Sequence, residues 1–405
     1  MTARSRAIAR VGRFLVAGTV IAIVAACGGS SATSAPGSVQ PSGSLATQTQ
    51  SFTSIPSCGC SFGASAAASA PASAAASAPA AATTAAKTAA TNAATNAATN
   101  APTAGAPAAT PAPTAGAPAT TRTGQSGTVV AWGDNSSDQT TVPSGLTGVV
   151  AVAAGDEFSL ALKSDGTVVA WGANDIGETQ IPAGVTNIKA ISAGSTFGLA
   201  LKSDGTVVGW GDSTYGQTTP PSGLMNVVEI SAAGVHALAL ESDGTVVAWG
   251  GDDNGETDVP AGLKNVAHVS AGYDFSLALL KDGTVVAWGD KNPTDTTLGV
   301  AKVPAGLSGV TGISAGYYHS LALKSDGTVV GWGANDVGQI TTPAGLNAVA
   351  VAAGGNVSVA IKSDGTVAAW GGNESGQATV PAGLSHVIAI DAGGSHVLAV
   401  VASGS

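Results

Sequence analysis

The stretch AGYYHSLALKSDGTVVGWG, residues Ala315–Gly333, recurs in close variants through the later part of this 405-residue chain. Each variant ends in a tryptophan followed by glycine, and the intervals between successive tryptophans are 39, 39, 39, 39, 44 and 38 residues. A period near forty residues, rich in β-branched residues and turns, is typical of propellers and solenoids. The seven tryptophans are Trp132, Trp171, Trp210, Trp249, Trp288, Trp332 and Trp370.

Each repeat predicts four short antiparallel strands, named A to D. Segments such as VTGISAG predict strand A, HSLALK strand B, TVVAW strand C and QTTVP strand D. The Asp-Gly pair in KSDGT is a strong signal for the hairpin turn between B and C. The proline that closes D, for example Pro182, suits an edge position because it lacks a backbone N–H.

The two ends of the repeat region complement each other. The region begins at Gly127 with strands C and D, and it ends with strands A and B in HVIAIDAGGSHVLAVVASGS, residues 386–405. Joined, the two halves make one further unit, and such closure protects sheet edges from pairing with other chains. The sequence therefore predicts an all-β fold, a seven-bladed β-propeller over residues 127–405 closed by its N- and C-terminal strands.

The N-terminus predicts export. An apolar run, Phe14–Ala26, follows four arginines and precedes Cys27, which is the arrangement of a signal peptide over residues 1–26 and is too short for a comfortable transmembrane helix. Val24-Ala25-Ala26-Cys27 resembles the bacterial lipobox, and the resemblance implies lipidation of Cys27 and anchoring to a membrane. The alternative is an ordinary cleaved signal in which the cysteine is incidental. The arginines are Arg4, Arg6, Arg10 and Arg13.

Residues 27–125 predict a disordered linker. The segment is built from Ala, Thr, Ser, Pro, Gly and Asn and contains few large apolar residues, so it cannot bury enough surface to offset the entropy of ordering. Cys58 and Cys60 are its other thiols, and oxidation outside the cytoplasm is expected for them. A metal site is not predicted, because further ligands are absent nearby.

Charge excludes one class of partner. After Gly124 the chain has nine lysines, no arginine and 25 acidic residues, a formal charge of 9 − 25 = −16. Nucleic-acid binding needs clustered basic residues to neutralise phosphates, so neither DNA nor RNA is an expected partner.

Enzymatic activity is not predicted either. His236, His319 and His396 occupy a repeat position that is phenylalanine in other copies, which indicates a packed ring rather than a catalytic base. The repeated positions show no acid, base and nucleophile that converge at the axis. We therefore expect no enzyme, no cofactor and no metal.

The differences between copies indicate a binding face. The B–C turns and D–A links hardly change, whereas the A–B and C–D loops vary, and in an antiparallel blade these two variable loops lie at the same end. Variable loops on a rigid scaffold commonly bind ligands. The longest is the C–D loop Asp290–Lys302, and tyrosine is a favoured interface anchor. The candidate partner-binding residues are Asp156, Glu157, Tyr273, Asp274, Tyr317 and Tyr318.

The phrases AGxxHSLALKSDGTVVAWG and NxxGQTTVPAGL resemble the regulator of chromosome condensation repeat family. The short loops are similar to those of its bacterial seven-bladed members, such as the propeller-type β-lactamase inhibitory protein. This resemblance covers 127–405 and implies the propeller fold. In those inhibitors, loops before strand B supply aromatic residues to the enzyme-facing surface, and the matching aromatic residues here are Tyr273, Tyr317 and Tyr318.

Together these features predict an exported, lipid-anchored cell-surface protein whose monomeric propeller binds a protein or a cell-envelope polymer through its variable face. One alternative is a secreted inhibitor of a β-lactamase or a cell-wall enzyme. Another is a structural spacer without a specific ligand.

Overall fold

The computed structural model describes residues 125–290 and 299–403, and these residues form an all-β fold. Their strands group into repeated antiparallel sheets in which B lies between A and C, as in a β-propeller. Five sheets have three strands, and a sixth joins two such groups through one pair, Gly127 opposite Val149. Within the described residues there are thus seven groups of three strands, numbered here as units 1 to 7 in the order of their A strands.

The strand bounds are given in unit order. The A strands are β2 (Val149–Ala154), β5 (Ile188–Ala193), β8 (Val227–Ala233), β11 (Val266–Ala271), β14 (Val310–Ala315), β17 (Ala348–Ala353) and β20 (Val387–Ala392). The B strands are β3 (Phe158–Lys163), β6 (Phe197–Lys202), β9 (His236–Glu241), β12 (Phe275–Leu280), β15 (His319–Lys324), β18 (Val357–Lys362) and β21 (His396–Ala402). The C strands are β4 (Val168–Gly172), β7 (Val207–Gly211), β10 (Val246–Gly250), β13 (Val285–Gly289), β16 (Val329–Gly333), β19 (Val367–Gly371) and β1 (Gly127–Gly133).

The first strand completes the last unit. β1 pairs with β21 along its whole length, from Gly127 opposite Ala402 to Gly133 opposite His396. The A strands contact one another in sequence order, and β20 of unit 7 packs beside β2 of unit 1. The pairing between the two ends of the repeat region, expected from the split repeat, is therefore confirmed.

The predicted strand D is wrong. The segment Gln139–Pro143 and its counterparts form turns rather than strands. Their backbone N–H groups are bound within the loop: that of Thr141 donates to the Asp138 carbonyl and that of Val142 to the Thr140 carbonyl. The N–H of Thr140 donates to the Asn135 side-chain oxygen. The N–H groups of Thr140, Thr141 and Val142 are therefore bound to local acceptors and do not form a ladder with strand C.

The core lies between neighbouring sheets, and the repeated sequence places it there. The five residues from Phe158 to Leu162 are all buried, because strand B is covered on both faces. Full burial of each leucine or phenylalanine contributes about 1.5–3 kcal/mol. The tryptophans join units: Trp171 of unit 1 donates its Nε1–H to the Gln139 carbonyl in the loop of unit 7, at 2.9 Å. They are framework residues.

Close packing around the axis predicts a large effect of adding one methyl group at Gly393. A Cβ atom there would lie 2.1 Å from the Gly155 carbonyl oxygen of unit 1 and 2.7 Å from the His396 ring. Gly393→Ala is expected to lower the free energy of unfolding by about 3 kcal/mol or more, since backbone must move to admit it. Urea unfolding at neutral pH measures this.

Gly383→Ala is the matched control for that substitution. Gly383 has a φ of +79° and open space around it, so alanine there meets only backbone strain of about 1 kcal/mol. Equal losses for the two variants would contradict the proposed overlap between units 7 and 1.

Several predicted features lie outside the described residues: the signal peptide, Cys27, the linker up to residue 124 with Cys58 and Cys60, and residues 291–298 of the long C–D loop. In the part of the chain that the structure describes, no helix combines the length and apolar character needed to cross a membrane.

Candidate functional site

The two kinds of variable loop lie at one end of the sheets. In each unit the residue after strand C donates its backbone N–H to a carbonyl of the A–B loop of the same unit. We call this end the variable face, made of the A–B loops and the C–D loops. The donor and acceptor pairs are Asp134–Ser395, Ala173–Glu157, Asp212–Thr196, Gly251–Val235, Asp290–Asp274, Ala334–Tyr318 and Gly372–Asn356.

Backbone hydrogen bonds also tie neighbouring A–B loops together around the axis. The N–H of Asp156 donates to the Ser195 carbonyl, and that of Ser195 donates to the Gly234 carbonyl. The N–H of Gly394 in unit 7 donates to the Gly155 carbonyl in unit 1. The loops therefore form a rigid base for the side chains that project from them.

A small cavity lies along the axis inside this base. Its volume is about 50 Å³, and its walls are the A strands with their alanines, serines and glycines. One water molecule takes about 30 Å³ of liquid, so the cavity holds no more than small molecules or ions. Its only ionisable lining residues among those the structure describes are Asp156, Tyr317 and Asp391.

Asp391 replaces a serine in a ring of hydrogen bonds between units. Ser192 Oγ accepts from the Ala232 N–H of the next unit at 2.9 Å, and equivalent serines do the same in the following units. At this position unit 7 has Asp391, whose carboxylate accepts from the Ala154 N–H at 2.8 Å. The substitution places a negative charge beside the axis.

Burial raises the pKa of Asp391 to about 7, although its hydrogen bonds to the N–H groups of Ala154 and Ala392 act in the opposite direction. The carboxyl group keeps some surface toward the cavity, but protein surrounds that cavity. Asp391 was not among the candidate residues predicted from the sequence. Asp391, with a pKa of about 7, occupies a position that is serine in four other units.

The predicted tyrosines form one cluster on the variable face. The ring centroids of Tyr273 and Tyr317 are 5.0 Å apart, those of Tyr273 and Tyr318 are 5.9 Å apart, and those of Tyr317 and Tyr318 are 6.3 Å apart. Such tilted and edge-to-face pairs are favourable arrangements of aromatic rings. The A–B loops of units 4 and 5 thus present a half-buried aromatic surface.

Tyr317 reaches from unit 5 to unit 1. Its hydroxyl donates a hydrogen bond to the Asp156 carboxylate, and both residues line the axial cavity. Burial raises the pKa of Asp156 to about 6, against the lowering effect of its bonds to Tyr317 and Ser195. Burial and the neighbouring Asp156 hold the pKa of Tyr317 well above its usual value. This pair therefore joins units 5 and 1 at the wall of the cavity.

The remaining predicted residues are on the same face. Glu157 accepts a hydrogen bond from the Ser137 hydroxyl at 2.9 Å. Burial, followed by repulsion from Glu256, raises the pKa of Asp274 to about 6. Burial, followed by Asp156, raises the pKa of Tyr273 to about 12. All six candidate partner-binding residues thus lie at one end of the sheets.

Comparison with known families accounts for the repeat. The regulator of chromosome condensation (RCC1) repeat matches residues 149–177, 188–217, 266–292, 310–339 and 348–377. Each match begins with an A strand and ends in the loop after strand C. Five of the seven units are thus similar to the RCC1 repeat.

Three solved structures share the fold. Yeast RCC1 (Prp20) bound to Kap60 has a TM-score of 0.60 at 19% identity, with 71% of this chain and 91% of that chain covered. Prp20p from Saccharomyces cerevisiae alone gives 0.61 at 18%, covering 71% and 94%. Human WBSCR16 gives 0.52 at 17%, covering 68% and 99%. A search of the curated proteins finds no match. At these identities the likeness establishes the fold.

Three units share a buried histidine with a structural role. His236, His319 and His396 are fully buried, and each Nε2 lies 2.9–3.0 Å from a serine Oγ of the next unit. The serines Ser159 and Ser276 donate their own protons to backbone carbonyls. The imidazole is therefore the donor, and the structural interpretation of these histidines is confirmed.

The placement of the His, Cys, Asp and Glu side chains bears on metal ligation. In residues 125–290 and 299–403, groups of three or more His, Cys, Asp and Glu side chains suited to a metal ion do not occur. The chemistry that the variable face offers is recognition: a fixed aromatic cluster, partly buried carboxyl groups and loops held by backbone hydrogen bonds.

Proposed function

We propose that this protein is exported, anchored to a membrane through a lipidated Cys27, and binds a protein or a cell-envelope polymer through the variable face of a seven-bladed propeller. The seven three-stranded units and the pairing of β1 with β21 support the blade number. The basic and apolar N-terminus supports export.

One observation carries the binding role: the convergence of Tyr273, Tyr317 and Tyr318 from two adjacent units. Tyrosines are over-represented among residues that dominate binding energy, because each combines apolar area with a hydroxyl group. Here the loops that carry them are already rigid, so little entropy is lost when a partner binds.

The comparisons favour a protein as the partner. Yeast Prp20 is described bound to Kap60, and its binding to Gsp1p and histones is described as well. Those partners belong to that protein, but they illustrate that an RCC1-type propeller binds other proteins through its surface. For this chain we favour an envelope protein over a polymer.

A pull-down from native cell envelope tests the proposal. The full chain serves as bait beside a Tyr317→Ala/Tyr318→Ala variant. We expect the variant to capture the partner at least about tenfold less, because loss of an interface tyrosine often costs about 2 kcal/mol. Near- and far-ultraviolet circular dichroism checks that both proteins are folded.

Met225→Ala is the matched control for the tyrosine variant. Met225 is a large apolar side chain with 64% of its surface exposed, and it lies in a D–A link outside the variable face. Partner capture by the Met225 variant is expected to equal that of the parent. A partner retained by the tyrosine variant and lost by the methionine variant would place the binding site elsewhere.

Inhibition of a β-lactamase or a cell-wall enzyme is the second candidate function. The aromatic A–B loop residues Tyr273, Tyr317 and Tyr318 support it, through the resemblance to the bacterial inhibitors. Hydrolysis of nitrocefin by a class A β-lactamase, with the full chain at micromolar concentration, tests it. Unchanged hydrolysis would exclude β-lactamases. The spacer function predicts no partner at all in the pull-down.

A further inference from the structure

Charge is distributed unequally between the two ends of the sheets. In the described A–B and C–D loops there are fifteen carboxylic residues and one lysine, Lys302. The long C–D loop also has Lys291 and Asp295, which lie outside the described residues. The acidic residues are Asp134, Asp138, Asp156, Glu157, Asp175, Glu178, Asp212, Asp252, Asp253, Glu256, Asp258, Asp274, Asp290, Asp336 and Glu374.

The carboxylates at the other end have local partners. Each B–C turn aspartate accepts hydrogen bonds from a threonine two residues later, as Asp204 does from the N–H and hydroxyl of Thr206 at 3.0 and 2.7 Å. Lysines stand beside three of them, for example Lys163 Nζ at 2.8 Å from Asp165. The hydrogen bonds to Thr206 hold the pKa of Asp204 below its usual value. These aspartates are therefore stabilised as anions.

Some carboxylates of the variable face have similar local partners, as Asp212 has in Thr214. Two others, Asp274 and Glu256, are affected by acidic neighbours in the opposite sense. Burial and then repulsion from Glu256 and Asp290 raise the pKa of Asp274. Burial also raises the pKa of Glu256, and Asp252 and Asp253 add to that effect. Like charges are thus held together at the end of the molecule where the loops vary, and a partner's cation there would relieve the repulsion.

Apolar and aromatic side chains accompany these charges. Ile176, Tyr215 and Val337 occupy the same C–D loop position in three units and are 42%, 41% and 40% exposed. Tyr215 and the tyrosine cluster of the A–B loops together include all four tyrosines of the chain. Tyrosine faces attract lysine and arginine side chains through their negative quadrupole. The variable face therefore has both apolar and aromatic side chains on which a partner can pack and carboxylates that can pair with its cations.

We infer that the partner contacts the variable face through a cationic segment, in which lysine or arginine side chains meet Glu157 and Asp274 while neighbouring apolar groups pack on the tyrosine cluster. This inference rests on the proposed binding function and specifies the chemistry of the partner. Binding is then steered by opposite charge, so it weakens as salt screens the carboxylates.

Fluorescence anisotropy with labelled octapeptides tests the inference on the full chain. The probes are oligoarginine, oligoglutamate and a neutral Gly-Ser peptide, at about 20 and 300 mM salt. Oligoarginine is expected to bind at low salt and to weaken at high salt. Binding of the Gly-Ser peptide as tight as that of oligoarginine would overturn the inference.

Two charge variants distinguish the variable face from general attraction to an acidic protein. Glu157→Gln/Asp274→Asn is expected to weaken oligoarginine binding about three- to tenfold, because it removes two partly desolvated charge pairs, each of modest strength. Asp326→Asn/Asp364→Asn removes the same formal charge from two B–C turns, and its binding is expected to change by less than twofold. Equal effects of the two variants, or none, would overturn the inference.

The outcome remains distinguishable from that of the proposed function. A native partner that is lost with Tyr317→Ala/Tyr318→Ala but is insensitive to salt and to Glu157→Gln/Asp274→Asn overturns only the cationic chemistry. Failure of every bait to capture a partner counts against the binding function itself.

Discussion

Asp391→Ser is expected to stabilise the protein at pH 8 by roughly 4 kcal/mol more than it does at pH 3.5. The pKa of Asp391 rises from 3.8 to about 7 on folding, and each pKa unit corresponds to about 1.4 kcal/mol. Serine at this position reproduces the hydrogen bond that Ser192 makes to the next unit, and it removes the buried charge.

The sign follows from proton binding. Between pH 3.8 and about 7 the folded state holds a proton on Asp391 that the unfolded state has lost, so this group's contribution to stability falls as pH rises. Urea unfolding of both proteins from pH 3.5 to 8 measures the difference. Ser192→Ala is the control, because it removes an equivalent hydrogen bond without a charge and its effect is independent of pH. A pH-independent effect of Asp391→Ser would refute the prediction.

His236→Phe/Ser276→Ala is expected to have the opposite pH signature. Burial lowers the pKa of His236 from 6.5 to about 4, with only a small opposing effect of Asp252. The free energy of unfolding of the variant minus that of the parent should be roughly 3 kcal/mol larger at pH 4 than at pH 7.5. This follows because each pKa unit corresponds to about 1.4 kcal/mol. The chain uses the same phenylalanine–alanine pair at Phe197 and Ala237, both buried.

Here the folded state binds fewer protons than the unfolded state between pH 4 and 6.5, so stability is lost as pH falls through that window. Ser276→Ala alone keeps the histidine and leaves its Nε2–H without the serine oxygen. That control should lose about 1–3 kcal/mol at pH 7.5 and retain the acid sensitivity. An acid response of the double variant equal to that of the parent would contradict the burial argument.

Comparison between the repeats in the sequence was sufficient to predict the parts of the candidate site that lie in the variable loops. The loops that vary between repeats are the loops that meet at one end, because A–B and C–D connections of an antiparallel sheet must lie on the same side. Tyr273, Tyr317 and Tyr318 stood out as departures from the repeat, and they do contact one another. Their contact follows from the adjacency of consecutive units.

Asp391 was missed, although the signal was present in the sequence. The equivalent residues in units 1 to 7 are Ala153, Ser192, Ser231, Ser270, Ser314, Ala352 and Asp391. An aspartate at a position of small residues departs from the repeat, as the tyrosines do. Asp391 lies within strand β20, whereas the candidate binding residues were predicted from differences between the loops.

A second signal links adjacent repeats. A histidine at the start of strand B is followed, one unit later, by a serine at the second position, as in His396 with Ser159 and His319 with Ser358. Units 4 and 5 have Phe275 and Ser320 at these positions, and the buried Ser320 hydroxyl has no hydrogen-bond partner. These matched histidine and serine positions therefore indicate from the sequence which B strands are neighbours.

By itself the sequence determined the unit, its A, B and C strands and the pairing of the two ends of the repeat region, because period, Asp-Gly turns and apolar patterning act locally and identically in every copy. Only the tertiary structure decided that strand D is a set of turns, that Tyr317 bonds to Asp156 across three unit boundaries, and that Asp391 has a pKa of about 7. These depend on distances between distant residues and on burial, and both arise only when the units pack around one axis.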